Sequence, residues 1–132
     1  LRGYQEILIG GQKFQHLKGG KLSLRELADC PWISHTSGSI TRDFFNQYFQ
    51  EHGLSFQPDI ELATTDMILP AVRHNLGIGF IPAEFATEDL RQGTVFEIAV
   101  EEKLPQRSIQ LVYDTEYPQS VASKTFLEFL FR

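Results

Sequence analysis

Two short segments bring hydroxyl groups to places where backbone amides are also free. One is residues 32–40, WISHTSGSI, and the other is residues 60–67, IELATTDM. Each reads as a strand, a small polar turn and the start of a helix. The first amides of a helix lack intrahelical acceptors and carry partial positive charge. Hydroxyls beside them can donate to a carboxylate, a sulfate or a phosphate. In an open α/β sheet such turns lie at the carboxyl ends of the strands, where ligands bind. Serine and threonine are also ordinary helix N-caps. The residue types alone therefore leave both roles open for Thr36, Ser37, Ser39, Thr64 and Thr65.

Other chemistry finds little support. His16, His35, His52 and His74 have no metal-ligand spacing with each other or with acids, although His35 adjoins the first hydroxyl turn. Glu61 and Asp66 sit near the second turn, but no spacing pairs them for acid/base work. The Gly77-x-Gly79 pair precedes its strand and meets Pro82 where a third glycine belongs. It is not a dinucleotide fingerprint, and close packing of strand against helix suffices to account for it. Neither a G-x-S-x-G elbow, an H-E-x-x-H helix nor a phosphate loop is present. The expectation is a protein that is not an enzyme and carries no cofactor and no metal. Cys30, the single cysteine, precedes Pro31 and lacks flanking Lys or Arg, so it reads as a structural thiol that forms no internal disulfide.

The composition agrees. Of 132 residues, 42% are hydrophobic and 22% charged, with a net charge of −5. That balance suits a globular domain and argues against a broad phosphate-binding surface on this segment. The chain holds no apolar run of membrane-spanning length and no secretory signal. It begins at Leu1, which fits a piece of a longer chain.

Strands and helices must position the two turns. Residues 4–9 read as a strand that exits at Gly10-Gly11, followed by a polar loop over 12–21. Ser23-Leu24-Arg25-Glu26 has the form of a capping box, predicting a short helix with Leu24, Leu27 and Ala28 inward and Pro31 beyond its end. Ile40, Phe44, Phe45, Tyr48 and Phe49 form a broad helical stripe closed by Gly53. A strand over 59–63 leads to a Thr64-Thr65-Asp66 cap and a helix burying Ile68, Ala71, Val72 and Leu76, with Pro70 predicting an irregular first turn. Strands are further predicted at 77–82, 95–100 and 108–113, with a short helix over 84–90 ended by Gly93. An amphipathic helix carrying Ala122, Phe126, Phe129 and Leu130 ends the chain. This alternation predicts an α/β fold with a largely parallel sheet.

Taken together, DIELATTD at 59–66 and VRHNLGIGFIP at 72–82 resemble the core of the effector-binding domains of LysR-type transcription regulators. The register FQHLKGGKLSLRELADCPWI at 14–33, the strand at 108–113 and the helix FLEFL at 126–130 are similar to that family too, so the resemblance spans essentially the whole chain. It implies a periplasmic-binding-protein-like (type 2) fold of two α/β lobes with an effector in the cleft between them. By the same resemblance, residues 1–10 form the first hinge strand region, 11–78 lobe II, 79–82 the second hinge strand, and 83–132 the C-terminal part of lobe I. The first lobe would then be incomplete and the family's N-terminal helix-turn-helix missing. Thr36, Ser37 and Ser39 match the family's effector-contacting turn, Thr64 and Thr65 its second helix start, and Phe80 and Pro82 the hinge exit. The implied function is ligand sensing: a small, anionic metabolite modulates DNA binding by the parent protein. Implied partners are that effector, a second or further copies in a homodimer or homotetramer, and DNA only through the missing helix-turn-helix. No membrane is implied, and the location is cytoplasmic. The alternative is a transport-type solute-binding protein of the same architecture.

Overall fold

The computed structural model describes residues 2–109 and 120–130. Strand β1 (Arg2–Tyr4) is followed, after Gln5, by β2 (Glu6–Gly11). Next come β3 (Trp32–His35), α1 (Ile40–Glu51) and β4 (Ile60–Leu62). The helix α2 (Ile68–Arg73), β5 (Ile78–Pro82), α3 (Thr87–Gln92) and β6 (Val95–Ile98) continue the chain. Strand β7 (Arg107–Ile109) and helix α4 (Val121–Leu130) complete it.

Five strands form one sheet in the order β4-β3-β5-β2-β6. β3 pairs in parallel with β4 and β5, whereas β2 runs antiparallel to both β5 and β6. The largely parallel sheet predicted above therefore contains one reversed strand, and that strand, β2, lies between β5 and β6. The pairing of β6 with β2, Leu8 opposite Ile98 and Gly11 opposite Val95, carries the sheet well past residue 82. α3 packs against β6, so residues 83–98 are built onto this same sheet. β1 and β7 form a separate antiparallel ribbon with Tyr4 opposite Arg107.

Period-two alternation sends each strand's apolar residues to opposite faces. Leu8, Trp32, Ile78, Phe80, Phe96 and Ile98 join Phe45, Tyr48 and Phe49 of α1 on one side. Ile9, Ile33, Ile81 and Val95 meet Ile68, Val72 and Ala86 on the other. An aromatic group centres the first face: Phe80 stacks on Phe45 at 4.8 Å and on Trp32 at 5.7 Å, and the Trp32 indole donates to Leu27 O. Such pairs add about 0.5–1.5 kcal/mol each beyond their buried area.

Local signals explain most element ends. The Ser39 hydroxyl accepts from Arg42 N at 3.1 Å and so caps α1. At the other end Gly53 adopts φ 76°, with Gly53 N bonded to Gln50 O and Leu54 N to Phe49 O, a Schellman closure. Pro70 does produce an irregular entry, since a 3-10 turn at Thr65–Met67 precedes α2.

Several expectations are corrected. The capping box makes turns rather than a helix: Ser23 Oγ accepts from Glu26 N and Ser23 O from Leu27 N, but Ala28 N and Cys30 N bond carbonyls only three residues back, and Pro31 follows. Residues 12–17 form a 3-10 helix, Gln12–Leu17, instead of an open loop. Ile40 and Leu76 lie 83% and 53% exposed, outside the buried stripes assigned to them. The tight glycines pack against a strand more than a helix, because a Cβ on Gly77 would lie 2.7 Å from Pro31 O and one on Gly79 3.0 Å from Ile33 O. Residues 110–113 of the predicted last strand lie outside the described residues.

Candidate functional site

The carboxyl ends of β3, β4 and β5 converge where β2 begins, and a cavity of about 310 Å³ opens there. Tyr4, Glu6, Thr41, Thr65, Pro82 and Arg107 line it, with Glu84, Phe85 and Ile109 alongside. Each comes from a different structural reason. Glu6 opens β2 directly opposite Pro82, the last residue of β5. Thr41 is the second residue of α1, and Thr65 begins the 3-10 turn after β4. Tyr4 and Arg107 face one another across the β1–β7 ribbon.

Arg107 organises the wall. Its NH1 lies 3.4 Å from Glu6 Oε1 and 3.4 Å from Thr41 Oγ1. Its guanidinium carbon stands 4.6 Å from the Phe44 ring centre and 5.7 Å from that of Tyr4, within cation–π range. A planar donor fork held over aromatic rings is suited to a carboxylate or similar oxyanion. The Glu6 carboxyl is pushed up to about 7 by burial, only partly offset by Arg107.

His35 lies behind the cavity. Its Nε2 shares a 2.9 Å hydrogen bond with Thr65 Oγ1. Burial, with the Arg107 charge adding to it, lowers the imidazole's affinity for a proton. Arg42 braces this end of β3: it donates to His35 O and Asn46 Oδ1, pairs with the Glu61 carboxylate and lies over Phe56.

The predicted positions separate. Thr65 and Pro82 line the cavity. Thr36 and Ser37 are exposed on the adjoining turn, and Ser39 is engaged in capping α1 and in donating to Thr36 O. Thr64 is exposed and its hydroxyl caps nothing, so the N-cap expected at 64–66 is absent; the Thr65 hydroxyl turns to His35 instead. Phe80 is 5% exposed and stacked within the core, on the sheet face that packs α1. Sequence reading missed Tyr4, Glu6, Thr41 and Arg107. An acid inside an otherwise apolar strand, EILI, was the available signal for Glu6. Cys30 is half-buried, and burial together with Asp29 pushes its thiol up, away from thiolate reactivity.

A two-faced α/β sheet with a cavity at its strand ends, walled by an antiparallel ribbon, has the form of a ligand-binding domain. Residues 13–132 match the LysR substrate binding domain, and the chain belongs to that family. The HTH-type transcriptional regulator YeiE of Escherichia coli (strain K12) is 29% identical over 124 residues, 94% of this chain and 42% of that protein. The HTH-type transcriptional activator CmpR of Synechocystis sp. is 27% identical over 125 residues, 95% of this chain and 41% of that protein. This chain thus spans less than half the length of these curated relatives. Among solved structures, the effector binding domain of QuiR in complex with shikimate superposes with a TM-score of 0.80 at 20% identity, covering 98% of this chain and 60% of that one. The Synechocystis PCC6803 CcmR regulatory domain in complex with 2-PG gives 0.75 at 18% identity, over 97% and 62%. The fold is the periplasmic-binding-protein-like fold of these domains. Among the described residues no helix is long and apolar enough to cross a membrane.

Proposed function

We propose that this chain is the ligand-sensing part of a LysR-type transcription regulator, and that its effector, a small carboxylate-bearing metabolite, binds against Arg107 in the cavity. The observation that carries the reading is Arg107 itself, within cation–π range of the Phe44 and Tyr4 rings and beside the Thr41 hydroxyl in a cavity wall. Structural neighbours in complex with shikimate and with 2-PG support a small organic effector for the fold. The matched relatives are regulators rather than transport proteins, which favours sensing over solute delivery. Thr65 and Pro82 belong to the site on this reading; Thr36, Ser37, Ser39 and Thr64 form its outer rim, and Phe80 supports it from the core.

The same reading divides the chain at two crossings. Gln5 joins β1 to β2, with Gln5 O accepting from Ala83 N and its side chain donating to Leu104 O. The return path runs through residues 99–107, so residues 6–98 make one lobe and the β1–β7 ribbon leads towards the other. On this reading the second crossing lies in 99–107, and 79–82 belongs to the central sheet. The parent protein acts in the cytoplasm and binds DNA through a helix-turn-helix outside these residues, since a net charge of −5 offers duplex DNA no electrostatic footing here. Its effector domains associate as dimers or tetramers; sedimentation showing a monomer at high concentration would count against that. The deciding experiment is a thermal-shift screen of small carboxylates against the wild-type chain and Arg107→Gln. Ligands that raise Tm in the wild type and lose that effect in the variant support the site. Equal stabilisation of both rejects it.

A further inference from the structure

We propose that the cavity selects a carboxylate carrying a hydrogen-bond donor beside it, an ammonium or a hydroxyl, with Arg107 taking the carboxylate and Glu6 taking the donor. This rests on the cavity being the effector site and goes on to name what distinguishes its ligand.

The first argument is charge. Among the described residues lining the cavity, Arg107 is the cation while Glu6 and Glu84 are acids. A bare anion approaching Arg107 competes with Glu6 for one guanidinium and, wherever Glu6 is ionised, brings two negative groups together in a partly dry space, where their repulsion is poorly screened. A donor on the ligand reverses that sign, turning Glu6 from a repulsive neighbour into an acceptor.

The second argument is the state of Glu6. The residue is 4% exposed, yet among the described residues its Oε2 has no hydrogen-bond partner. Among the same residues its Oε1 has only the long 3.4 Å contact to Arg107. A carboxylate has room for about four hydrogen bonds, and buried acceptors are seldom left unmet. The upward push on the Glu6 carboxyl to about 7 has the same origin, a buried acid short of positive or donating partners. An ammonium or hydroxyl from a bound molecule supplies what is missing.

The third argument is lining. Pro82, Phe85 and Tyr4 give the cavity apolar walls beside these polar groups. A ligand with a short carbon chain behind its polar end suits such walls better than a polyanion.

The test uses the isotope-labelled 132-residue chain, titrated near neutral pH with butyrate, 2-hydroxybutyrate and 2-aminobutyrate and followed by amide NMR shifts. These share one carbon skeleton and differ only beside the carboxylate. At least one substituted acid is expected to bind about tenfold more tightly than butyrate, and Glu6→Gln to reduce that preference to about threefold or less while butyrate still binds. Butyrate binding as tightly as both analogues, or a preference that survives Glu6→Gln, overturns the proposal and leaves the site reading standing. If none of the three moves the amides of Tyr4, Thr41, Thr65 or Arg107, the site reading fails and the proposal falls with it. Should Glu6→Gln lose its dispersed spectrum, the wild-type ranking alone decides.

Discussion

Arg107 and Glu6, 101 positions apart in sequence, meet with NH1 3.4 Å from Oε1. The pairing of Tyr4 with Arg107 in the β1–β7 ribbon brings this about, since Glu6 follows Tyr4 by two residues and opens the strand beyond. The contact ties the strand that enters the sheet to the segment that leaves it, so any ligand that engages Arg107 also acts on this joint. Side-chain exposure of 15% and 3% keeps the pair largely out of solvent, where an ion pair gains less than its Coulomb attraction suggests because both charges are desolvated.

The pH dependence of stability follows from Glu6. Its folded value of about 7 lies above the unfolded 4.5, so between these values the folded state holds more protons than the unfolded chain. Stability contributed at this position is therefore highest below pH 4.5 and falls as pH rises towards 7. Glu6→Gln, which stays neutral and can still accept from Arg107, is expected to stabilise the protein at pH 8 by about 1–3 kcal/mol. At pH 4 the gain should vanish. Denaturant titrations at the two pH values check this, and an equal effect at both would contradict the burial argument.

His35 tilts the profile the other way. Burial holds its folded pKa below the ordinary 6.5, so its contribution is complete above that value and is lost as pH falls through the lowered one. Thr65→Val removes the 2.9 Å bond to His35 Nε2 and should cost about 1 kcal/mol, together with weaker effector binding. Thr65→Ser should retain most of both. Thr36→Val, at an exposed turn residue, should leave stability within about 0.5 kcal/mol of wild type. Paired denaturation and binding titrations separate these cases.

What was legible in the sequence was local. The Phe44, Phe45, Tyr48, Phe49 stripe and Gly53 specify α1 because i, i+4 neighbours and a left-handed cap are decided within one segment. Ile40 falls outside the stripe's burial because it is the first residue of that helix, where the chain has only begun to pack over the sheet. The box at Ser23 forms its local bond to Glu26 N but opens only a run of turns, because Ala28 N and Cys30 N bond three residues back and Pro31 stops any extension. The cavity was half legible: hydroxyl turns at strand ends pointed to Thr65, while Arg107 sits in a three-residue strand that carries no motif. Only the ribbon's pairing places it opposite Tyr4.

Arg42 supplies a further test of how this end of the sheet is held. Its side chain is 11% exposed and bonds His35 O, Asn46 and the 44%-exposed Glu61. Arg42→Met keeps the stem against Phe56 but leaves His35 O without this donor. A loss of about 2–3 kcal/mol is expected, below the 3–5 typical of a fully buried pair because Glu61 can rehydrate. Arg42→Lys should recover only part, since a single ammonium cannot reproduce the guanidinium fork. Urea denaturation of the two variants provides the measurement.

Gly77→Ala tests whether the glycines before β5 serve packing alone. Pro31 O accepts a 2.9 Å hydrogen bond from Ile78 N, which begins the β3–β5 register of Trp32 opposite Ile78. A methyl at position 77 would stand 2.7 Å from that same oxygen and 3.1 Å from Ile33 Cγ1. The first obstacle is backbone, so relief requires β3 and β5 to separate at the point where their pairing starts. Overpacking of this kind costs about 1–3 kcal/mol, and the strained hydrogen bond adds to it, so a loss of about 2–4 kcal/mol is expected. Gly20→Ala is the control, because no atom lies within 4 Å of its added Cβ and its φ is not positive. It should change stability by no more than about 0.5 kcal/mol. Thermal and urea melts of both variants decide the matter: if Gly77→Ala melts with the wild type, the β3–β5 approach is looser than these distances require.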